Sequence, residues 1–320
     1  MGLFGRGRGA DGSPGQDAAA GEAAERRREQ DVERVGRGGV PLAAEARIAE
    51  LAGRTDGFFT SGLSVADFAL TRLQGVQPIC QVMGSSVYQV GWQAFPWGSW
   101  SSGGSIVELT QLTEAWNQAR SRALRRLAEE ARAARADAVI DVSFERREHA
   151  FVDGAVEVVV NGTAVRLPDG TPQMRAAPRL SDLSAPDFTL LRDAGYGPAG
   201  VVAATSVVYV SAGAMTQQLT TGWQRGTANR ELADFTQGVY SARENALGRA
   251  TSAAQGLGAE GVVGTQVEVG IQVREWESAG NRRREDLIVT AHVVGTAIAR
   301  HGAGAPPDPR VIVRQGALTR

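Results

Sequence analysis

The chain has 320 residues, enough for about two domains at roughly 150 residues each. Hydrophobic residues make up 42% and the net charge is −1, so the chain can bury sizeable cores but carries no basic excess for nucleic acid or an anionic membrane. Every basic residue is Arg, which excludes lysine chemistry, and the single Cys80 excludes an intrachain disulfide and fits a reducing, cytoplasmic setting.

No stretch reaches the roughly 18 consecutive apolar residues of a membrane span. The start, MGLFGRGRGADGSPG, is too short and Gly-rich for a signal peptide. It is loosely like a myristoylation start, but Arg6 stands where Ser or Thr is wanted. Residues 1–55 are expected to be a disordered, partly helical arm. Its run AAAGEAAERRREQDVERV is a solvated polyampholyte with Glu and Arg one turn apart. A short helix follows between Pro41 and Gly53. The arm, with Leu3 and Phe4 near its start, is a candidate docking segment for a protein partner. Phe58, Phe59, Leu63 and Phe68 are expected to anchor it to the first folded unit.

The rest of the chain repeats itself. DFALTRLQGVQPICQVMGSSV faces DFTLLRDAGYGPAGVVAATSV at an offset of 120, Asp67 to Asp187. ELTQLTEAWNQARSRAL faces ELADFTQGVYSARENAL at 123, Glu108 to Glu231. NGTAV (161–165) faces VGTAI (294–298) at 133, the excess lying in the loop ESAGNRRRED. Offsets that change only at loops mark a duplication. The predicted units are 56–168 and 187–301, joined by a linker at 169–186 and followed by a flexible tail at 302–320.

Each unit reads as strand, helix, then hairpin. Val- and Ser-rich stretches, Pro78–Val90 and Pro198–Val210, suit strands. Helices are expected over about 106–134 and 229–257, because Leu109, Leu112, Trp116, Ala119, Ala123, Leu127 and Ala131 recur at helical spacing. Unit two offers Leu232, Phe235, Val239, Ala242, Ala246, Ala250 and Ala253 in the same rhythm. Alternation in VEVGIQV and a turn at Asp153–Gly154 point to the hairpins. One helix per unit covers one sheet face, and a three-stranded sheet leaves open edges, so such units complete themselves by pairing with copies.

QARSRALRRLAEEARAARADAVIDVSFE, with VEVVVNGTAVRL after it, resembles the YbjQ-like family, also known as the heavy-metal-binding-domain or DUF74 family. The resemblance rests on Ala119, Arg120, Ala123, Leu124, Ala136, Ala138, Val139, Gly162, Thr163 and Ala164, and on Ala242, Arg243, Ala246, Leu247, Gly258, Ala259, Val262, Gly295, Thr296 and Ala297 in the second copy. It implies an α+β fold of tandem dodecin-like β-α-β-β units and ring-shaped, commonly pentameric, homo-oligomers. Arg135 stands where the family has Gly, and the loop GWQAFPWGSWSSGG is unusually rich in Trp.

Candidate chemistry is sparse. Cys80, His149, His292 and His301 are scattered and show no ligand spacing, so no metal and no cofactor is expected within one chain, although subunits could assemble a site between them. Trp92, Phe95, Trp97 and Trp100 form an aromatic cluster that either contacts a flat ligand or partner or seals the sheet; unit two keeps Trp223. Arg120, Arg122, Arg125, Arg126 and Arg132 alternate with Glu129 and Glu130 as a solvated helix face. Arg120 and Arg243, matched between the copies, are the best candidate interface residues. Nucleophile elbow, phosphate loop and dinucleotide fingerprint are all missing, and three scattered histidines make a triad poor. The sequence therefore points to a non-enzymatic, self-assembling scaffold, the alternative being a ligand or metal carrier with sites between subunits.

Overall fold

Charge spacing, apolar periodicity and side-chain caps lay down a helical arm and then two strand–helix–hairpin units. The computed structural model describes residues 14–53, 58–92, 104–149, 154–222, 226, 229–278 and 282–300. The arm holds α1 (Pro14–Gly36) and α2 (Leu42–Gly53). The polyampholyte forms most of α1, supported by pairs such as Arg26 to Glu22 one turn back. The arm is tied to the folded units by Val40 and Ile48, both buried.

The first unit contains α3 (Val65–Leu73), β1 (Gln77–Gln89), β2 (Ser105–Glu108), α4 (Thr110–Ala133), β3 (Ala138–His149) and β4 (Ala155–Arg166). α5 (Pro172–Ala176) and β5 (Arg179–Leu180) lie in the linker. The second unit contains α6 (Ala185–Asp193), β6 (Tyr196–Ser211), α7 (Ala214–Thr220), α8 (Ala233–Gly256), β7 (Gly261–Ser278) and β8 (Arg282–Arg300). Ser64 and Ser184 cap α3 and α6, each accepting the amide of an Asp three residues on. The two long helices begin four residues later than their periodicity suggests. In the first unit those residues are β2, because β-branched Ile106 and Val107 find β6 as a strand partner.

The two sheets run β1-β4-β3-β5 and β2-β6-β8-β7, so the last strand of each unit lies between the other two. The registers shift at matching places: between Pro78 and Cys80 and between Pro198 and Gly200, then between Ile140 and Ser143 and between Val263 and Gln266. At the second pair of bulges Asp141 (φ 55°) and Gly264 (φ 65°) occupy the left-handed region. Arg135 (φ 55°) takes the left-handed helix cap that Gly258 (φ 69°) takes in the second unit, and Arg adopts it at a steric cost.

α8 lies on sheet two through a stripe of small residues, Gly238, Ala242, Ala246, Ala250 and Ala254. α4 is buried on more than one side. Ala119, Ala123 and Leu127 share a core with Val82, Val158 and Val160 of sheet one and with Val207, Tyr209 and Ile288 of sheet two. α4 therefore lies between the sheets, where one sheet face had been expected for it. This corrects the reading of its Arg face as solvated. Arg120 and Arg126 are buried, with Glu130 at 3% exposure, because the second sheet and the arm cover those sides. Cys80 is a fully buried hydrophobe whose thiol burial pushes up to about 11.

Candidate assembly interface

The chemistry of this chain is concentrated at the seam between its two units. β2 leaves the first unit and pairs antiparallel with β6 of the second, Ser105 opposite Ser211 and Glu108 opposite Val208. The ladder continues past the strand, since Leu109 N–H donates to Val207 O at 2.8 Å and Val207 N–H donates to Thr113 Oγ1 at 2.9 Å. One turn on, Asn117 imitates a strand neighbour. Its Nδ2 donates to Thr205 O, and its Oδ1 accepts Thr205 N–H, both at 3.0 Å. A helix face thereby satisfies the outer edge of a sheet, whose polar groups would otherwise lose water without compensation.

Arg120 completes this side. Its Nη1 donates to Thr205 Oγ1 at 2.7 Å, and its Nη2 donates to Asn117 Oδ1. The Thr205 hydroxyl is also hydrogen-bonded to His292 Nδ1 at 2.8 Å. Burial, then the charges of Arg146 and Arg120, hold His292 down to about 3, so the ring is neutral. Its edge packs against Trp116, with ring centroids 5.1 Å apart. Glu108 accepts from Ser206 and from Arg249 of α8, both at 2.8 Å, and these partners lower its pKa against the opposing effect of burial. Val207 and Tyr209 are 0% exposed; burying side chains of that size is worth about 2 kcal/mol each.

At the other end, the linker adds to sheet one. β5 runs parallel to β3, Arg179 opposite Ala138 and Leu180 opposite Val139. Ser181 N–H donates to Val139 O at 2.9 Å, and Val142 N–H returns to Ser181 O at 3.0 Å. Ala185 and Phe188 of α6 then bury themselves against Val76, Ile140 and Val165. An ion pair from Arg146 on β3 to Glu268 on β7 also crosses the seam.

Of the residues singled out from the sequence, Arg120 lies at the centre of this seam, while its counterpart Arg243 is exposed on α8. Trp92 is 87% exposed beyond the end of β1. Phe95, Trp97, Trp100 and Trp223 lie outside the described residues. Glu108, Thr113, Asn117, Thr205 and His292 were missed as site residues. A signal existed for two of them, since Glu108 and Thr113 recur as Glu231 and Thr236, yet polar identities at a helix start read equally well as capping. Among the described residues no group of three or more His, Cys, Asp or Glu converges as a metal site, and no helix is long and apolar enough to cross a membrane.

Comparison with known proteins gives this seam a context. The model of a family described as putative heavy-metal-binding, YbjQ_1, matches residues 101–168, from before β2 to the end of the first hairpin. The chain is 34% identical over 258 residues to the encapsulin nanocompartment protein Rv1762c of Mycobacterium tuberculosis, covering 80% of this chain and 91% of that protein. It is 43% identical over 60 residues to a UPF0145 protein of Clostridium novyi and 40% over 60 to one of Thermosipho melanesiensis. Those matches span 19% of this chain and 56% and 54% of the relatives. No solved structure matches. Neither of the families so identified is one of enzymes. With similarity across four-fifths of its length and a YbjQ-like domain at residues 101–168, the chain belongs to the family of the Mycobacterium tuberculosis nanocompartment protein.

Proposed function

We propose that this chain is a non-enzymatic, self-assembling structural component of a protein compartment or scaffold. The observation that carries the reading is the seam, in which a strand and a helix face of one unit complete the open sheet of the next. The name of its relative, a nanocompartment protein matched over 91% of its length, supports the same role. In this reading residues 56–168 and 187–301 are two dodecin-like units derived by duplication, 169–186 is a structured linker, and the chains close into a ring, five chains giving ten units. The arm before residue 55 and the tail after 301 recruit partners or join rings, and the assembly works in the cytoplasm.

Light scattering on the full-length protein, with metal analysis of the same sample, tests the proposal. A mass at a small whole-number multiple of one chain, or a larger closed particle, with no stoichiometric metal, is the expected result. A monomer at micromolar concentration refutes self-assembly, and stoichiometric bound metal replaces the scaffold with a carrier.

A further inference from the structure

The seam uses two different surfaces, and each has an unused counterpart on the same chain. The first unit lends β2, one side of α4 and the edge of β3. The second unit receives them on the outer face of β6 and on the extended linker before α6. Matching registers and bulges identify the counterparts, β1 with β6 at an offset of 120 (Pro78 to Pro198) and α4 and β3 with α8 and β7 at 123 (Arg135 to Gly258). The receiving surface of the first unit keeps exposed positions beside backbone already bonded to Arg47, Thr60, Glu130 and Arg126. Val87 is 61% exposed where its counterpart Val207 is 0%, and Val65 is 86% exposed where Ala185 is 0%. The lending surface of the second unit has exposed positions too. Tyr240, the counterpart of Asn117, is 57% exposed, and Leu257, the counterpart of the buried Ala134, is 46%. Large apolar side chains left exposed where their counterparts are covered mark a contact surface.

The backbone before α3 is already shaped for such a contact. Leu63 N–H donates to Ser61 Oγ at 3.0 Å, and Gly62 N–H donates to Thr163 Oγ1 at 3.1 Å. The linker before α6 makes the same two bonds, Leu183 N–H to Ser181 Oγ at 3.2 Å and Asp182 N–H to Thr296 Oγ1 at 3.0 Å, and there the segment is paired with β3. Preorganisation lowers the entropy lost on docking. β7, the counterpart of β3, ends sheet two as a terminal strand of 18 residues with Val269, Ile271 and Val273 exposed. Arg126, the counterpart of Arg249, differs in being buried under the arm on the carbonyls of Val35, Gly39 and Ser85. Glu231, the counterpart of Glu108, is exposed.

We infer that the occupant of both surfaces is a second copy of this chain, docked by the contact that already joins its two units. The β7 edge of one chain takes the segment 59–63 of the next as a parallel strand, Gly261 opposite Phe59 and Val262 opposite Thr60. Tyr240 and Arg243 lie over Val87. The two surfaces are complementary to each other and not to themselves, so each chain offers one of each to its neighbours. One operation repeats head to tail until a ring closes or a filament extends. The inference rests on the self-assembly reading and adds the surfaces and their register.

Engineered cysteines in the full-length chain test it. Gly261 accepts a side chain without conflict, since nothing lies within 4 Å of a Cβ there, and native Cys80 is fully buried. After mild oxidation the double variant Phe59→Cys/Gly261→Cys is expected to run as a ladder of cross-linked multimers on a denaturing gel. A mixture of the two single variants should give cross-linked dimer, and Phe59→Cys with Ile271→Cys, ten residues out of register, should give no ladder. Val87→Arg, at an exposed position, should reduce the native mass to that of a single chain, whereas Trp92→Arg should leave it unchanged. No ladder from the in-register pair, in a protein that light scattering still finds assembled, overturns this contact while leaving self-assembly standing. A native mass unchanged by Val87→Arg does the same. A wild-type monomer refutes both.

Discussion

At the residue scale, the seam turns on groups whose partners are far away in sequence. Arg120 is buried and donates to Thr205, yet burial and the Arg146 charge both weigh against its cation. Arg120→Ala is expected to lower stability in urea by about 3 kcal/mol, because it leaves Thr205 and Asn117 short of a charged donor. Arg120→Met, which fills the space without a charge, should cost less than about 1 kcal/mol. His292 gives the seam a pH dependence. Its folded value is lowered from 6.5 to about 3, so the unfolded chain binds more protons across that window. The stability it contributes is complete above pH 6.5 and is lost as pH falls toward 3. It faces Arg120 and Thr205 from one side and Arg146, Glu268, Asp141 and Asp182 around a shared cavity. Burial raises the pKa of both Asp141 and Asp182, so they gain stability on protonation and oppose the His292 effect. The expected result is therefore a difference: His292→Asn should flatten the loss of thermal stability between pH 6.5 and 4 relative to wild type. The repeat singled out Arg120 as a candidate interface residue, but the sequence placed it on a solvated face without its partners and read His292 as an isolated histidine.

At the element scale, small residues set how closely helices approach sheets. Gly84 on β1 faces the Ala123 carbonyl of α4 so closely that an added Cβ would overlap it. Gly238 on α8 meets the Val210 side chain in the same way. Gly84→Ala must push a 24-residue helix off its sheet, and because α4 also carries the seam, the shift reaches sheet two. A loss of about 3 kcal/mol is expected from denaturant titration. Gly248→Ala is the contrasting change. That glycine is exposed within α8 with nothing within 4 Å of a Cβ, so a gain of about 0.5–1 kcal/mol is expected from helix propensity alone. The helices themselves were legible because their apolar residues keep helical spacing. Their starts were not, because whether Ser105–Glu108 continues a helix or becomes a strand depends on β6, about a hundred residues on.

At the scale of the whole molecule, the two units share a plan but differ in what surrounds them. α4 has neighbours on several sides, whereas α8 is buried along one stripe. Arg243 is therefore available to another chain in the way Arg120 is committed within this one. Arg243→Ala is expected to lower the native mass with a change in single-chain stability within about 0.5 kcal/mol. Arg283→Ala is expected to leave the mass unchanged, because Arg283 is spent on a cross-strand pair with Glu275 in the β7–β8 hairpin. Light scattering on the two variants side by side decides it, and equal elution of both with wild type would remove Arg243 from the interface.

The sequence by itself determined the long strands and helices of each unit and their order, because periodicity and the repeat are local or self-referential and survive without knowledge of the partner. It also carried the family, through the helix-to-hairpin motif that ends in Gly162-Thr163-Ala164. What only the tertiary structure decided is which copy of each repeated surface is covered. Val87 and Val207 are the same residue at equivalent positions, one 61% exposed and the other 0%. Nothing in their local sequence separates them, because burial belongs to the pairing of distant surfaces. The first unit has the second to lean on, and the second unit's lending surface still faces outward.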